Sequence, residues 1–253
     1  SVISIYYLSP NGPSDVGSDN IRIMDRPLLL DNIPKLRRRI RLSAEKYHRP
    51  DSGILLLAVS KTRPAEDIRE VYAAGLDQFG ESYLQEALEK MDALADLPLT
   101  WHFIGPVQSN KTRPIAEHFQ WVHSVDRLKI ARRLNDQRPE GLPPLQVCIQ
   151  VNISSETSKS GAAPASVREL AEAIEAMPRL TLRGLMAIPA ATNDAREQRA
   201  AFARLRAIYN DLLPDFPEMD TLSMGMSGDL EAAIAEGATI CRVGTALFGP
   251  RNG

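Results

Sequence analysis

From residue 31 onward, apolar positions alternate between two rhythms: short unbroken runs, and longer stretches where they return every three or four places. The runs read as strands over residues 54–59, 78–80, 100–104, 121–124, 145–153, 180–186, 220–223 and 239–243. Between them the helical spacing predicts helices at 83–94, about 111–118, 126–136, 166–177, 194–212 and 230–236. Another helix is opened by Thr62 and Pro64, since proline suits a first turn, and one more precedes everything at about 33–47. Asp126 is expected to cap its helix, and Ser166 with Glu169 has the spacing of a capping box. Eight such strand–helix repeats with short connections imply an all-parallel sheet, and eight strands close a barrel. The expected fold is α/β, a single (β/α)8 TIM barrel with an extra N-terminal helix, the alternative being an open doubly wound sheet.

Residues 1–30 break the rhythm. The stretch 1–20 mixes an Ile-Tyr-Tyr-Leu run with Pro, Gly, Ser and Asp and has no Lys or Arg, which suits neither a secretory signal nor a transit peptide. It is set aside as an N-terminal extension, disordered or added, and the barrel is assigned to 31–253.

Composition narrows the functions. With 43% hydrophobic and 25% charged residues the chain is an ordinary globular protein, and a net charge of −2 gives no reason to expect nucleic acid or a membrane surface. No apolar stretch approaches 18 residues, so none is expected to span a bilayer. Cys148 and Cys241 lie inside apolar runs without metal-ligand spacing, as buried thiols of a reducing, cytoplasmic compartment would.

In a barrel the chemistry belongs to the loops after the strands. The first strand stops at Ser60-Lys61-Thr62, placing an ammonium group at the edge of an apolar layer. A lysine whose pKa is lowered by burial is the side chain that condenses with aldehydes, whereas a lysine that simply reaches water is the plainer reading. The seventh strand runs into Ser223-Met224-Gly225-Met226-Ser227 and the eighth into Arg242-Val243-Gly244-Thr245. Barrels commonly hold a phosphate at these two loops, using glycine amides, hydroxyls and a helix start. Ser227 is expected to cap the following helix, either as a cap alone or facing an anion there as well. Gly225 and Gly244 allow close backbone approach or only relieve turns, and Arg242 faces the site or pairs with a carboxylate such as Glu231. A phosphate pocket facing a Schiff-base lysine suits one cofactor, pyridoxal 5′-phosphate (PLP).

From about Ile33 to Arg251 the chain resembles the pyridoxal phosphate homeostasis protein family. The likeness is carried by 58–62, by the specific run Trp101-His102-Phe103-Ile104-Gly105-Pro106-Val107-Gln108-Ser109-Asn110-Lys111, and by 151–154, 158–161, 184–186, 223–227 and 242–245. It implies a barrel like the first domain of bacterial alanine racemase, with PLP held as a Schiff base on Lys61. It also implies that Ser223, Ser227, Gly244 and Thr245 surround the phosphate and that Arg242 faces the ring nitrogen. Asn152, Met186 and Gly225 complete the expected cofactor-binding set. No catalytic residue is assigned.

An arginine at the ring nitrogen keeps it unprotonated and so weakens the ring as an electron sink. Eight units use the chain to Gly253, so no second domain is expected to supply a further base. The expected function is therefore storage or delivery of PLP in vitamin B6 homeostasis. The alternative is a low-activity racemase or decarboxylase, and a third reading is a sugar-phosphate binder that would leave Lys61 unexplained. The expected partners are PLP and the client enzymes that use it, and a monomer is expected. Ser82 stands where the family usually has asparagine. Lys111 and Lys159 are expected at the surface or the barrel mouth, where they could receive cofactor in transit. His102 is expected in the core or at the site, and His48, His118 and His123 are expected to be structural or solvated.

Overall fold

The computed structural model describes residues 19–154 and 160–251, with side chains from Leu29 onward. Residues 1–18 of the expected 1–30 extension, and Lys159, thus lie outside the described residues. The first helix, α1, covers Asp19–Lys46, beginning well before the expected start. Its buried residues Leu29, Ile33, Leu36, Ile40 and Ala44 form one stripe against the rest of the chain.

Eight strands then alternate with helices: β1 Leu55–Val59, α2 Ala65–Ala73, β2 Gln78–Glu81, α3 Leu84–Ala93, β3 Thr100–Phe103, α4 Thr112–His118, β4 Trp121–Val125 and α5 Leu128–Gln137. The second half adds β5 Leu145–Gln150, α6 Val167–Glu175, β6 Leu180–Met186, α7 Ala195–Leu212, β7 Thr221–Ser223, α8 Leu230–Ala235, β8 Ile240–Val243 and the short α9 Thr245–Phe248. The strands pair in sequence order, all parallel, and β8 returns to β1 to close the barrel. The open-sheet alternative is thereby excluded.

Local details depart from the sequence reading. The fifth strand ends at Gln150, and Val151 makes only an isolated bridge to Ala162. Ser166 closes a 3-10 turn with helical dihedrals, so its hydroxyl does not cap α6. Arg127, not Asp126, occupies the cap position of α5, and its side chain makes no cap bond. Among the described residues, no helix is long and apolar enough to cross a membrane.

Candidate functional site

The C-terminal ends of β1, β2, β3, β6, β7 and β8 converge on a cavity of about 370 Å³, within the ~300–1,000 Å³ range of small-ligand sites. Lys61, Ser227, Arg242, Gly244 and Thr245 all line it. Arg63 and Arg251 line it as well, so four cations face the cavity, and no carboxylate does so among the described lining residues. Such a lining suits an anion. Ser82, where the family usually has asparagine, and the apolar Val59, Ile104 and Ile188 complete one wall.

Lys61 follows β1 in a strained turn. Thr62 adopts a left-handed backbone (φ 66°), which a β-branched residue does only under constraint. The constraint is visible: the Thr62 N–H donates to Glu86 Oε1 at 2.6 Å, and the Ser60 hydroxyl donates to Glu81 Oε1 at 2.8 Å. The half-buried Lys61 has a lowered pKa, first through burial, then through the cations Arg251 and Arg242, opposed by Glu81. A lysine so placed spends more time as the free amine that attacks carbonyls.

Arg242 is buried at the end of β8, yet it reaches the cavity. It donates through Nη1 to the Ser223 hydroxyl at 2.7 Å and through Nη2 to the Ala187 carbonyl at 2.9 Å. Burial pushes its pKa down to about 10, which leaves it a cation at neutral pH. Glu231, an alternative partner for Arg242, is instead engaged by Arg39 at 2.8 and 2.9 Å.

Four expected site residues do not line the cavity. Ser223 lies behind it, fully buried, with its hydroxyl between His123 and Arg242. Gly225 supports from below: its backbone is left-handed (φ 100°), and its carbonyl accepts from the Arg242 N–H at 2.8 Å. Met186 is buried at the end of β6, and the Asn152 N–H donates to the Ala162 carbonyl at 2.9 Å. Ser227 does line the cavity but does not cap α8, whose cap position is Asp229; its Oγ accepts from the Ala246 N–H in α9 at 3.2 Å. Lys111, His48 and His118 are exposed, whereas His102 and His123 are buried. Among the described residues, no group of His, Cys, Asp or Glu could hold a metal ion.

The sequence reading missed Arg63 and Arg251. The first stands two residues from Lys61 and could have been found by that spacing, while the second gave no local signal. Chemically, the cavity pairs an amine able to condense with a carbonyl with hydroxyls and cations able to hold an anion.

By fold and site this is a barrel of the alanine racemase N-terminal class, and the profile described as alanine racemase, N-terminal domain, matches residues 32–252. A Pseudomonas aeruginosa relative called pyridoxal phosphate homeostasis protein is 64% identical over 224 residues, 88% of this chain and 96% of the relative. The structure of PipY from Synechococcus elongatus PCC7942 with PLP bound is 40% identical, with a TM-score of 0.77, and covers 87% of this chain and 100% of that one. Alanine racemase from Corynebacterium glutamicum, 18% identical at a TM-score of 0.65 over 88% of this chain and 62% of that one, shares the fold. The chain belongs to the pyridoxal phosphate homeostasis protein family.

Proposed function

We propose that this protein binds pyridoxal 5′-phosphate, holds it as a Schiff base on Lys61, and serves B6 homeostasis by storing the cofactor or delivering it to client enzymes. The observation that carries this reading is the meeting, in one cavity, of a lysine of lowered pKa with Ser227, Thr245, Gly244 and three arginines. The aldehyde of the cofactor would meet Lys61, and its phosphate would meet the hydroxyls and cations of the seventh and eighth loops. The chain's kinship with PipY, whose structure contains PLP, supports the same reading. Of the expected set, we assign direct contact to Lys61, Ser227, Arg242, Gly244 and Thr245, and a supporting part to Asn152, Met186, Ser223 and Gly225.

Binding without turnover is the second half of the proposal. Apart from the guanidinium groups, Lys61 is the only basic side chain among the described lining residues, whereas inverting a carbon centre calls for proton transfer on both of its faces. We also propose a cytoplasmic setting, which fits two unpaired, buried cysteines, and a monomeric state.

The test is an absorbance spectrum of the purified protein with added PLP, before and after borohydride, beside Lys61→Ala. A near-visible band that reduction fixes covalently, and that Lys61→Ala lacks, is expected. No band in the native protein would overturn the proposal. Exchange of an amino acid's α-proton for deuterium faster than with free PLP would overturn the claim of binding alone.

A further inference from the structure

Arg242 is an unusual cation. It is buried, and among the described residues no carboxylate comes within ion-pair distance of it; its side-chain hydrogen bonds go to neutral groups, with Asp229 acting only as a more distant charge. One of these neutral groups is Ser223, and the Ser223 hydroxyl is itself held from behind. His123 Nδ1 lies 2.7 Å from Ser223 Oγ, His123 Nε2 lies 2.9 Å from His102 Nδ1, and His102 Nε2 lies 2.7 Å from Gln78 Oε1. The chain runs from β2 through β3 and β4, then crosses to β7 and β8. Because β4 and β7 are not neighbours in the sheet, His123 and Ser223 can meet only through the inside of the barrel.

Donor and acceptor rules give this chain one direction. Arginine only donates, so Ser223 Oγ accepts from Arg242, and the amide oxygen of Gln78 only accepts. With both rings neutral, His102 donates from Nε2 to Gln78, and its Nδ1 accepts from His123 Nε2. The Nδ1 of His123 then accepts the proton of Ser223. Every proton has a partner in this arrangement. In the reverse order, Gln78 would have to donate and the Ser223 proton would face none of these groups. Burial favours neutral rings: the pKa of His102 is pushed down to about 3, and that of His123 falls well below its ordinary value.

We propose that His123 and His102 are positioning residues of the ligand cavity: they lock the proton of Ser223 away from Arg242, leaving a fixed acceptor that aims the guanidinium into the cavity. The ligand named in the test rests on the PLP reading, whereas the direction of the chain does not. Without the lock the hydroxyl can turn its proton toward Arg242, and the unpaired cation loses one of its two side-chain anchors.

The test has two arms on the full chain. In the first, long-range 1H–15N spectra without cofactor should show both rings neutral, protonated on Nε2 and bare on Nδ1, from about pH 5 to about pH 8. A ring protonated on Nδ1, or one that titrates in that range, overturns the proposal whether or not PLP binds. In the second, Ser223→Ala and His123→Phe should weaken PLP binding about tenfold or more and shift the absorption of the complex. His123→Asn puts an amide oxygen where Nδ1 stood and should bind within about threefold of the native protein. Cofactor-free melting curves identify any variant that fails to fold. A folded His123→Phe with native affinity and spectrum, or a folded His123→Asn as weak as His123→Phe, overturns the proposal. Failure of the native protein to bind PLP overturns only the cofactor reading, and the first arm still decides the direction of the chain.

Discussion

Lys90 places its ammonium 2.7 Å from Glu81 Oε1 and 2.7 Å from the carbonyl of Ser60, the residue before the cavity lysine. Both charged side chains are buried, and Glu86 joins them by pairing with Lys90 at 3.1 Å while accepting from the Thr62 N–H. The strained turn carrying Lys61 is therefore braced by one cation and two carboxylates.

Removing the cation exposes how much the brace holds. Lys90→Met should destabilise the fold by about 3–5 kcal/mol, because it leaves Glu81 as an uncompensated buried charge. Burial already raises the pKa of Glu81, with Lys90 opposing the shift. A raised carboxylate favours folding below its unfolded pKa and loses that contribution as pH rises through the folded value. The deficit of Lys90→Met, read by urea unfolding, should accordingly be larger at about pH 8 than at about pH 5. Lys90→Met with Glu81→Gln should recover most of the stability.

Lys61 should react as a free amine at lower pH than an ordinary lysine. Burial is the main cause, and the Arg251 and Arg242 charges add to it. Labelling of Lys61 by trinitrobenzenesulfonate, followed by peptide mapping, should show a midpoint below the usual ~10.4. Arg251→Ala removes one of the lowering charges and should move the midpoint up. A midpoint unchanged from that of surface lysines would mean that burial does not act on this amine.

Gly225→Ala tests the backbone under Arg242. A Cβ there would lie 2.6 Å from the Ala233 Cβ, in a left-handed conformation that side chains resist. We expect a loss of about 2–4 kcal/mol in urea unfolding. PLP affinity should fall as well, since the Gly225 carbonyl accepts from the Arg242 N–H.

The barrel was legible because each strand and each helix carries its own local pattern. All eight strands stand where the apolar runs put them, and Lys61, Ser227, Arg242, Gly244 and Thr245 meet in one cavity, as their positions after strands suggested. What stayed hidden depends on partners far apart in sequence. The resemblance put Ser223 near a phosphate, and nothing local shows that its hydroxyl also meets His123, 100 residues away. His123 itself looked structural or solvated, because nothing near it shows that its ring meets His102 and Ser223 inside the barrel. Lys90 sits in a helix that reads as amphipathic, and a buried lysine is recognisable only when the carboxylate across from it is known. Cap positions failed for a related reason: Ser166 and Ser227 precede helices in sequence, but a 3-10 turn and a bond to α9 claim them.

The first helix should matter to the cavity although it lies outside the barrel. Arg39 of α1 donates to both oxygens of Glu231 and to the Ser227 carbonyl at 3.1 Å, and Asn32 donates to the Leu247 carbonyl at 3.0 Å. Thus α1 fastens the backs of the two loops that would hold a phosphate. The Arg39–Glu231 pair is partly exposed, so Arg39→Gln should cost no more than about 1 kcal/mol of global stability. Its larger effect should be on binding: with the Ser227 carbonyl released, PLP affinity should drop about two- to fivefold at neutral pH. The hydrogen bond from Arg39 is the main reason the pKa of Glu231 is lowered. A lowered carboxylate contributes above its unfolded pKa and loses that contribution as pH falls through the folded value. The stability gap between the native protein and Arg39→Gln should therefore be present at pH ~7 and shrink as pH falls below the ordinary glutamate value of ~4.3. A gap that persists in acid would mean that Arg39 acts through the Ser227 carbonyl alone, because only the carboxylate partner titrates.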